Sequence, residues 1–216
     1  MPEMHQLLLF IGAGILLNLT PGPDVLYIVT NSLRSGTRAG VVAALGINAG
    51  CFVHIFAAAL GVSALLAASV TAFAVLKWIG AAYLFWIGAK LLFSHAPGAA
   101  TDLQAIARSQ PALPLASVFY GGFLTNALNP KVAIFFLAFV PQFIAPDAQH
   151  KALAFIALGA LFNINSVFVN AAWAVAAAWL AGRNSVQAGM QWLDRVAGAM
   201  FIGFGAKLAL AENPGS

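Results

Sequence analysis

The chain has 216 residues, of which 62% are hydrophobic and 7% charged, with a mean hydropathy of +0.90; soluble domains carry roughly 25% charged residues. Such a composition excludes an ordinary soluble domain and makes the lipid bilayer the chain's first partner. The net charge of +4 comes from ten Lys and Arg scattered singly between apolar runs, so there is no basic patch and no nucleic-acid partner is expected. The single cysteine, Cys51, excludes an intramolecular disulfide or a dithiol pair, and no Cys/His spacing suggests a metal site; no cofactor is expected.

A bilayer core takes about 20 apolar residues of helix, and six segments meet that length: 5–30, 40–67, 70–93, 115–145, 151–180 and 192–211. "MPEMHQ" has no Lys or Arg, and no small-residue cleavage signature follows. The first segment is therefore read as retained, not as a signal peptide. It is interrupted by "NLTPGPD", Asn18 to Asp24, where two prolines, a glycine and a carboxylate fall at hydrocarbon depth. Each is costly there, because backbone hydrogen bonds are lost and a charge sits where water is scarce.

In the second segment Gly46, Gly50, His54, Ala57 and Gly61 share a face, whose small residues suit close helix packing. His54 reads as a packed, hydrogen-bonded histidine, with a proton relay as the alternative. Lys77, in the third segment, is expected to snorkel to the surface. Trp78, Tyr83, Trp86, Trp173, Trp179 and Trp192 read as interface anchors and lipid-facing bulk. Residues 94–114, rich in Pro, Gly and Ala with mixed charge, read as a solvated linker. The fourth segment is interrupted by "NPK", Asn129 to Lys131. On the fifth, Asn163, Ser166 and Asn170 fall at i, i+3 and i+7 on one face, suited either to a polar pathway or to interhelical hydrogen bonds.

The two halves resemble each other. "LKWIGAAYLFWIGAKLLF" (76–93) aligns with "LDRVAGAMFIGFGAKLAL" (193–210), "ALG" at 44–46 matches "ALG" at 157–159, and "PDV" at 23–25 falls opposite "PKV" at 130–132. Three segments per half is an odd number, so the second half must enter the membrane in the opposite direction. The expected fold is all-α: one membrane transport domain, 1–216, of six helices in two inverted three-helix repeats, 1–93 and 115–216 around the 94–114 loop. Arg34, Arg38, Lys90, Arg108, Arg183 and Arg195 on one side, against Lys151 and Lys207 on the other, favour both termini outside.

Each break reads as a helix start inside a span: Gly22 or Asn129 at the N-cap, then Pro23 or Pro130 at the first helical position. Half-helix N-termini expose N–H groups and the positive end of the macrodipole, which suit a carboxylate, and inverted symmetry brings both breaks near the midplane. Asp24 follows one proline and Lys131 the other, so an acid stands opposite a base. A substrate's ammonium can use Asp24 and its carboxylate Lys131; the alternative is that the two pair only with each other. Asn18, Asn48 and Asn126 lie near the breaks, as substrate contacts or as partners of freed backbone groups.

At these residues the chain resembles the LysE/RhtB amino-acid exporters of bacteria. The resemblance rests on "NLTPGPD", "SLRSGTRAGVVAALGINAG", "LKWIGAAYLFWIGAKLL" and "GFLTNALNPKVAIFFLAFVPQF", and it covers nearly the whole chain. It implies a multi-pass inner-membrane protein, not an enzyme, that exports amino acids or close derivatives such as homoserine, homoserine lactone, threonine or basic amino acids against protons. The family's first motif maps to Asn18, Thr20, Pro21, Gly22, Pro23 and Asp24, and its second to Asn126, Asn129, Pro130 and Lys131. Asn163 and Asn170 join them as candidate substrate contacts, and Asp24, the one carboxylate at depth, is the candidate proton-coupling group. The alternatives are a divalent-cation transporter of the wider superfamily, for which the ligand set is poor, and an intramembrane enzyme, for which no nucleophile–base pair is evident. Homo-oligomerisation is left open by the sequence.

Overall fold

The computed structural model describes residues 4–62, 112–145 and 148–179, with scattered positions between 75 and 93 and between 195 and 210. The expected third and sixth segments, most of the 94–114 loop, and Lys77, Tyr83 and Trp192 lie outside the described residues. Scattered positions from Val75 to Leu92 and from Arg195 to Leu210 are helical. Among the described residues the protein is all helix, with no strand.

Both expected breaks are present. The first span is α1 (Met4–Leu19) followed by α2 (Pro23–Ser35), bent by 51°. The second broken span is α4 (Leu115–Ala127) followed by α5 (Pro130–Ile134), bent by 44°. A π-helical turn (Phe135–Phe139) and a 3-10 turn (Val140–Phe143) continue α5. Pro23 and Pro130 occupy the first turns of their half-helices, where a missing N–H costs nothing. Between the broken spans stand α3 (Thr37–Ala57), prolonged by a π-helical turn at Ala58–Val62, and α6 (Lys151–Trp179). Both are long and apolar enough to cross a membrane, with hydropathies of 1.9 and 2.0; each bent pair passes the same test taken as one span.

The stretch "SLRSGTRAG", expected as a connecting loop, is mostly helix. Gly36 alone separates α2 from α3, at φ 79°, a left-handed conformation that costs glycine little. Its N–H closes the last turn of α2 on the Ser32 carbonyl at 2.9 Å, so the first span runs on to Ser35 rather than ending near residue 30.

Contacts set the helix directions. α1 runs alongside α6, with Gly14 against Phe162 and Asn18 bonded to Ser166. α3 runs against α6, because Gly40 meets Ala174 at one end and Gly159 meets Ile55 at the other. α4 runs with α3: Gly46 faces Phe119, Gly50 faces Phe123 and His54 reaches Asn126. The span α4–α5 therefore runs opposite to α1–α2, and α6 opposite to α3.

The α3–α4 contact is close because Gly46, Gly50 and Gly122 present only backbone to each other's helices. The small-residue face read from the sequence is buried at Gly46, Gly50 and His54, but Ala57 and Gly61 are exposed, since the contact with α4 ends before them. The main core holds Phe10, Phe135, Phe136, Phe139, Phe143 and Phe162. Trp78, Trp86 and Trp179 are more than half exposed, as interface anchors would be. Trp173 departs from that expectation: it packs on the second core cluster, around Ile28, Ala43 and Ala174.

A Cβ at Gly46 would collide with the main-chain carbonyl of Phe119, whereas Gly61 faces open space. Gly46→Ala is expected to destabilise the protein by about 1–3 kcal/mol, and Gly61→Ala to leave it unchanged or slightly stabilised. Thermal unfolding of the two variants in detergent, followed by size-exclusion chromatography, checks this.

Candidate functional site

Breaking a helix inside an apolar bundle strands backbone groups. The last carbonyls of α1 lose their N–H donors and the first N–H groups of α2 have no preceding turn to accept them. The stranded carbonyls are met from the other broken span. Lys131, at the start of α5, donates its Nζ to the carbonyl oxygens of Leu17 at 2.9 Å and Thr20 at 3.0 Å. An ammonium at a helix C-terminus also complements the negative end of the macrodipole. Gly22 makes room for it, since a Cβ there would stand 3.1 Å from Nζ. Thr20, buried, turns its hydroxyl back onto the Leu16 carbonyl at 2.6 Å.

The opposite break is closed differently. The carbonyl of Asn126, in the last turn of α4, receives the N–H of Asn129 at 2.8 Å and lies 2.7 Å from His54 Nε2 on α3. His54 is thus a packed, hydrogen-bonded histidine, stacked on Phe136 with ring centroids 6.3 Å apart. The side chain of Asn129 caps α5 by accepting the Lys131 N–H at 3.0 Å. Gly22, the corresponding residue of α2, offers no side chain, so no side chain caps that half-helix.

Asp24 stands in the first turn of α2, where the dipole favours a carboxylate. Its Oδ2 accepts the Asn126 amide at 2.9 Å. Its buried Oδ1 has no hydrogen-bond partner, and neither has Asn126 Oδ1. A polar ladder lies alongside: Ser166 donates to Asn18 Oδ1 at 3.2 Å, and Asn170 Nδ2 reaches both Ser166 Oγ at 3.0 Å and Asn48 Oδ1 at 3.1 Å. Asn163 Nδ2 reaches the Asn48 carbonyl at 3.2 Å. The i, i+3, i+7 face of α6 therefore bonds to α1 and α3. Within the ladder Asn18 Nδ2, Asn48 Nδ2 and Asn163 Oδ1 are buried without partners.

The sequence-predicted residues thus gather in two connected groups. Asp24, Asn126, Asn129 and Lys131 join the two breaks, and Asn18, Asn163 and Asn170 form the ladder with Asn48 and Ser166. Thr20 and Gly22 support the first group through backbone contacts, while Pro23 and Pro130 are exposed and shape the chain, as Pro21 does by interrupting it. Two features escaped the sequence reading. Tyr27 donates its hydroxyl to the Val118 carbonyl at 3.0 Å, bridging α2 to α4 over Gly121. The phenylalanines that cover the site had a signal in the sequence, the i, i+1, i+4, i+8 spacing of Phe135, Phe136, Phe139 and Phe143. Among the described residues no three His, Cys, Asp or Glu side chains gather as a metal site would require.

Two broken spans of opposite direction thus meet through Asp24, Asn126 and Lys131, with unpartnered amide atoms beside them. A family model described as "LysE type translocator" matches residues 15–212. The chain belongs to the LysE type translocator family. Members of this family are translocators, not enzymes. The chain is similar to an uncharacterized membrane protein of Vibrio cholerae, 32% identical over 97% of this chain and 99% of the relative. It is likewise 32% identical to a homoserine/homoserine lactone efflux protein of Salmonella typhimurium, over 92% of this chain and 93% of that one. A leucine efflux protein of Salmonella choleraesuis is 26% identical over 94% of each chain. No solved structure matches the chain. The relatives with named functions are efflux proteins, and the apolar helices of this chain suit a membrane translocator.

The contact between the breaks has a stability consequence. Lys131→Met orphans two carbonyls, and either substitution leaves the opposite charge at the joined breaks without a counter-charge. Lys131→Met is expected to lower the unfolding temperature more than Asp24→Asn does, and the double variant less than the sum of both. Additive losses in this double-mutant cycle would show that the two charges do not sense each other.

Proposed function

We propose that this protein is a secondary-active exporter of amino acids or close derivatives in the bacterial inner membrane. In this reading six spans form two inverted three-helix repeats, with Arg34 and Arg38 at the cytoplasmic end and the exporter coupled to protons through Asp24. The opposed directions of α1–α2 against α4–α5, and of α3 against α6, support the inverted arrangement. The observation that carries the reading is the meeting of the two breaks, where Asp24, Asn126 and Lys131 connect helices of opposite direction.

The chemistry of recognition follows from the unpartnered atoms. Asp24 Oδ1 and Asn126 Oδ1 are acceptors that suit an ammonium, and Asn18 Nδ2 and Asn48 Nδ2 are donors that suit a carboxylate or ester carbonyl. Lys131 attracts the same end of the substrate while its Nζ holds α1. Leucine, homoserine and homoserine lactone, the compounds in the relatives' names, share one group, the α-ammonium. The lactone has no carboxylate, so the acid-lined end is the constant part of the site and the amide-lined end the variable one. A buried acid that must release its proton before the ammonium binds, and regain it on release, couples the two fluxes in opposite directions.

Asp24→Asn preserves size and hydrogen bonding to Asn126 but cannot exchange a proton. In everted vesicles carrying a proton gradient, the variant is expected to lose gradient-driven accumulation of L-leucine or L-homoserine, whichever the unmodified protein accumulates. Its quantity in the membrane should be retained. Undiminished, gradient-dependent accumulation by Asp24→Asn would reject the role of Asp24.

A further inference from the structure

Away from the breaks, toward the end of the molecule where α1 and α6 begin, a cavity of about 490 Å³ opens between Leu7 on α1, Phe143 at the end of the second broken span, and Leu158 and Leu161 on α6. It lies within the range of about 300–1,000 Å³ usual for small-molecule sites. Its walls are apolar, and Gln149 and His150 stand exposed at its rim.

Between this cavity and the polar centre stands a cluster of buried phenylalanines. Phe135 stacks on Phe139 and tilts against Phe162, with centroids 4.9 Å apart in both pairs. Phe10 closes on Phe143 at 5.2 Å and on Phe139 at 6.5 Å. Phe143 belongs both to this stack and to the cavity wall, while Phe162 adjoins Asn163 of the polar ladder. The stack is thus continuous with the site on one side and with the cavity on the other.

Three features distinguish the stack from a plain core. Phe135 to Phe139 form the π-helical turn, a looser register that recurs at functional positions. Phe135 lies four residues after Lys131, which grips α1, so a rotation at Asn129 would carry Phe135 and Phe139 together, away from Phe10 on α1 and Phe162 on α6. Gly14 leaves Phe162 clearance, for a Cβ there would stand 3.1 Å from its ring.

We propose that Phe135, Phe139 and Phe162, closed by Phe10, form the gate on the Gln149–His150 side, and that the cavity beyond is the release vestibule. The occupant is the exported amino acid itself: its apolar side chain lies against Leu158 and Leu161, and its charged end leaves past Gln149 and His150. This rests on the export reading. The gate separates the polar centre from the vestibule in the structure described, and its opening exposes that centre to the release side.

Thiol accessibility tests the gate without any substrate, so its outcome is independent of the transport assay. In a Cys51→Ser background, a membrane-impermeant charged thiol reagent is applied separately to right-side-out and everted vesicles containing Ala157→Cys, in the vestibule, or Ser166→Cys, behind the stack. Ala157→Cys is expected to react from one face, and Ser166→Cys to react slowly from that face. Adding Phe139→Ala should speed the Ser166→Cys reaction from the same face by about tenfold or more, as expected when the open state gains population, and leave Ala157→Cys unchanged. Phe139→Leu, which keeps apolar bulk, provides a second, better-tolerated variant with a smaller effect in the same direction. If neither substitution speeds the Ser166→Cys reaction, or if the face that opens is not the face that labels Ala157→Cys, the proposal is overturned. A gate that opens as described while Asp24→Asn still shows gradient-driven transport would leave the gate standing and remove the proton role.

Discussion

The interaction on which the rest depends is the grip of Lys131 on the carbonyls of Leu17 and Thr20. A helix interrupted inside an apolar bundle must have its stranded carbonyls satisfied by protein, because each unmet group costs several kcal/mol there. The donor that meets them is a charged side chain from the opposite broken helix. That choice joins the two breaks, places a base beside Asp24, and leaves Gly22 as the residue that lets the ammonium approach. A side-chain amide, with two N–H donors, could have met the same two carbonyls without bringing a charge to the centre.

The two breaks are therefore related but not equivalent. α5 is capped by its own Asn129, and the end of α4 is held by His54 and a backbone turn. α2 has no side-chain cap and holds the acid, while α1 is closed by a cation. Most buried polar atoms in native proteins have partners. Here the unmet ones concentrate around Asp24, Asn126 and the α6 ladder. Such a centre is poorly satisfied by itself and well suited to a small molecule carrying both donors and acceptors. Beside it lies a layer of phenylalanines, Phe135, Phe136, Phe139 and Phe162, that is almost fully buried.

Much of this was legible in the sequence where a residue's backbone chemistry is restrictive. Pro23 and Pro130 fix φ and lack an N–H, so inside an apolar run each breaks the helix and is tolerated only at the start of the next one, and both breaks and both N-caps followed. The i, i+3, i+7 spacing of Asn163, Ser166 and Asn170 fixed a common face. Its choice between a pathway and interhelical bonds needed partners, Asn18 and Asn48, that lie far away in the chain. The target of Lys131 was not legible, because a carbonyl carries no side-chain signature. The stretch 31–39 was read as a connection because it falls between two apolar runs, whereas Gly36 alone, at positive φ, separates the two helices. Trp173 was read as an anchor from its type alone, and its packing on Ala43 and Ala174 depends on tertiary contacts.

Binding measured apart from transport tests most directly whether the paired breaks form the amino-acid site. Equilibrium binding of L-leucine and of L-homoserine to the purified protein in detergent is to be compared with the same titrations of Asp24→Asn and of Gln149→Ala, which lies outside the centre. A hydrogen bond to a charged group contributes about 1.5–3 kcal/mol, so the dissociation constant of the ligand bound should rise about tenfold to 150-fold in Asp24→Asn. Gln149→Ala should bind it nearly as the unmodified protein does. Unaltered affinity in a folded Asp24→Asn variant would contradict the placing of the substrate's ammonium at the break.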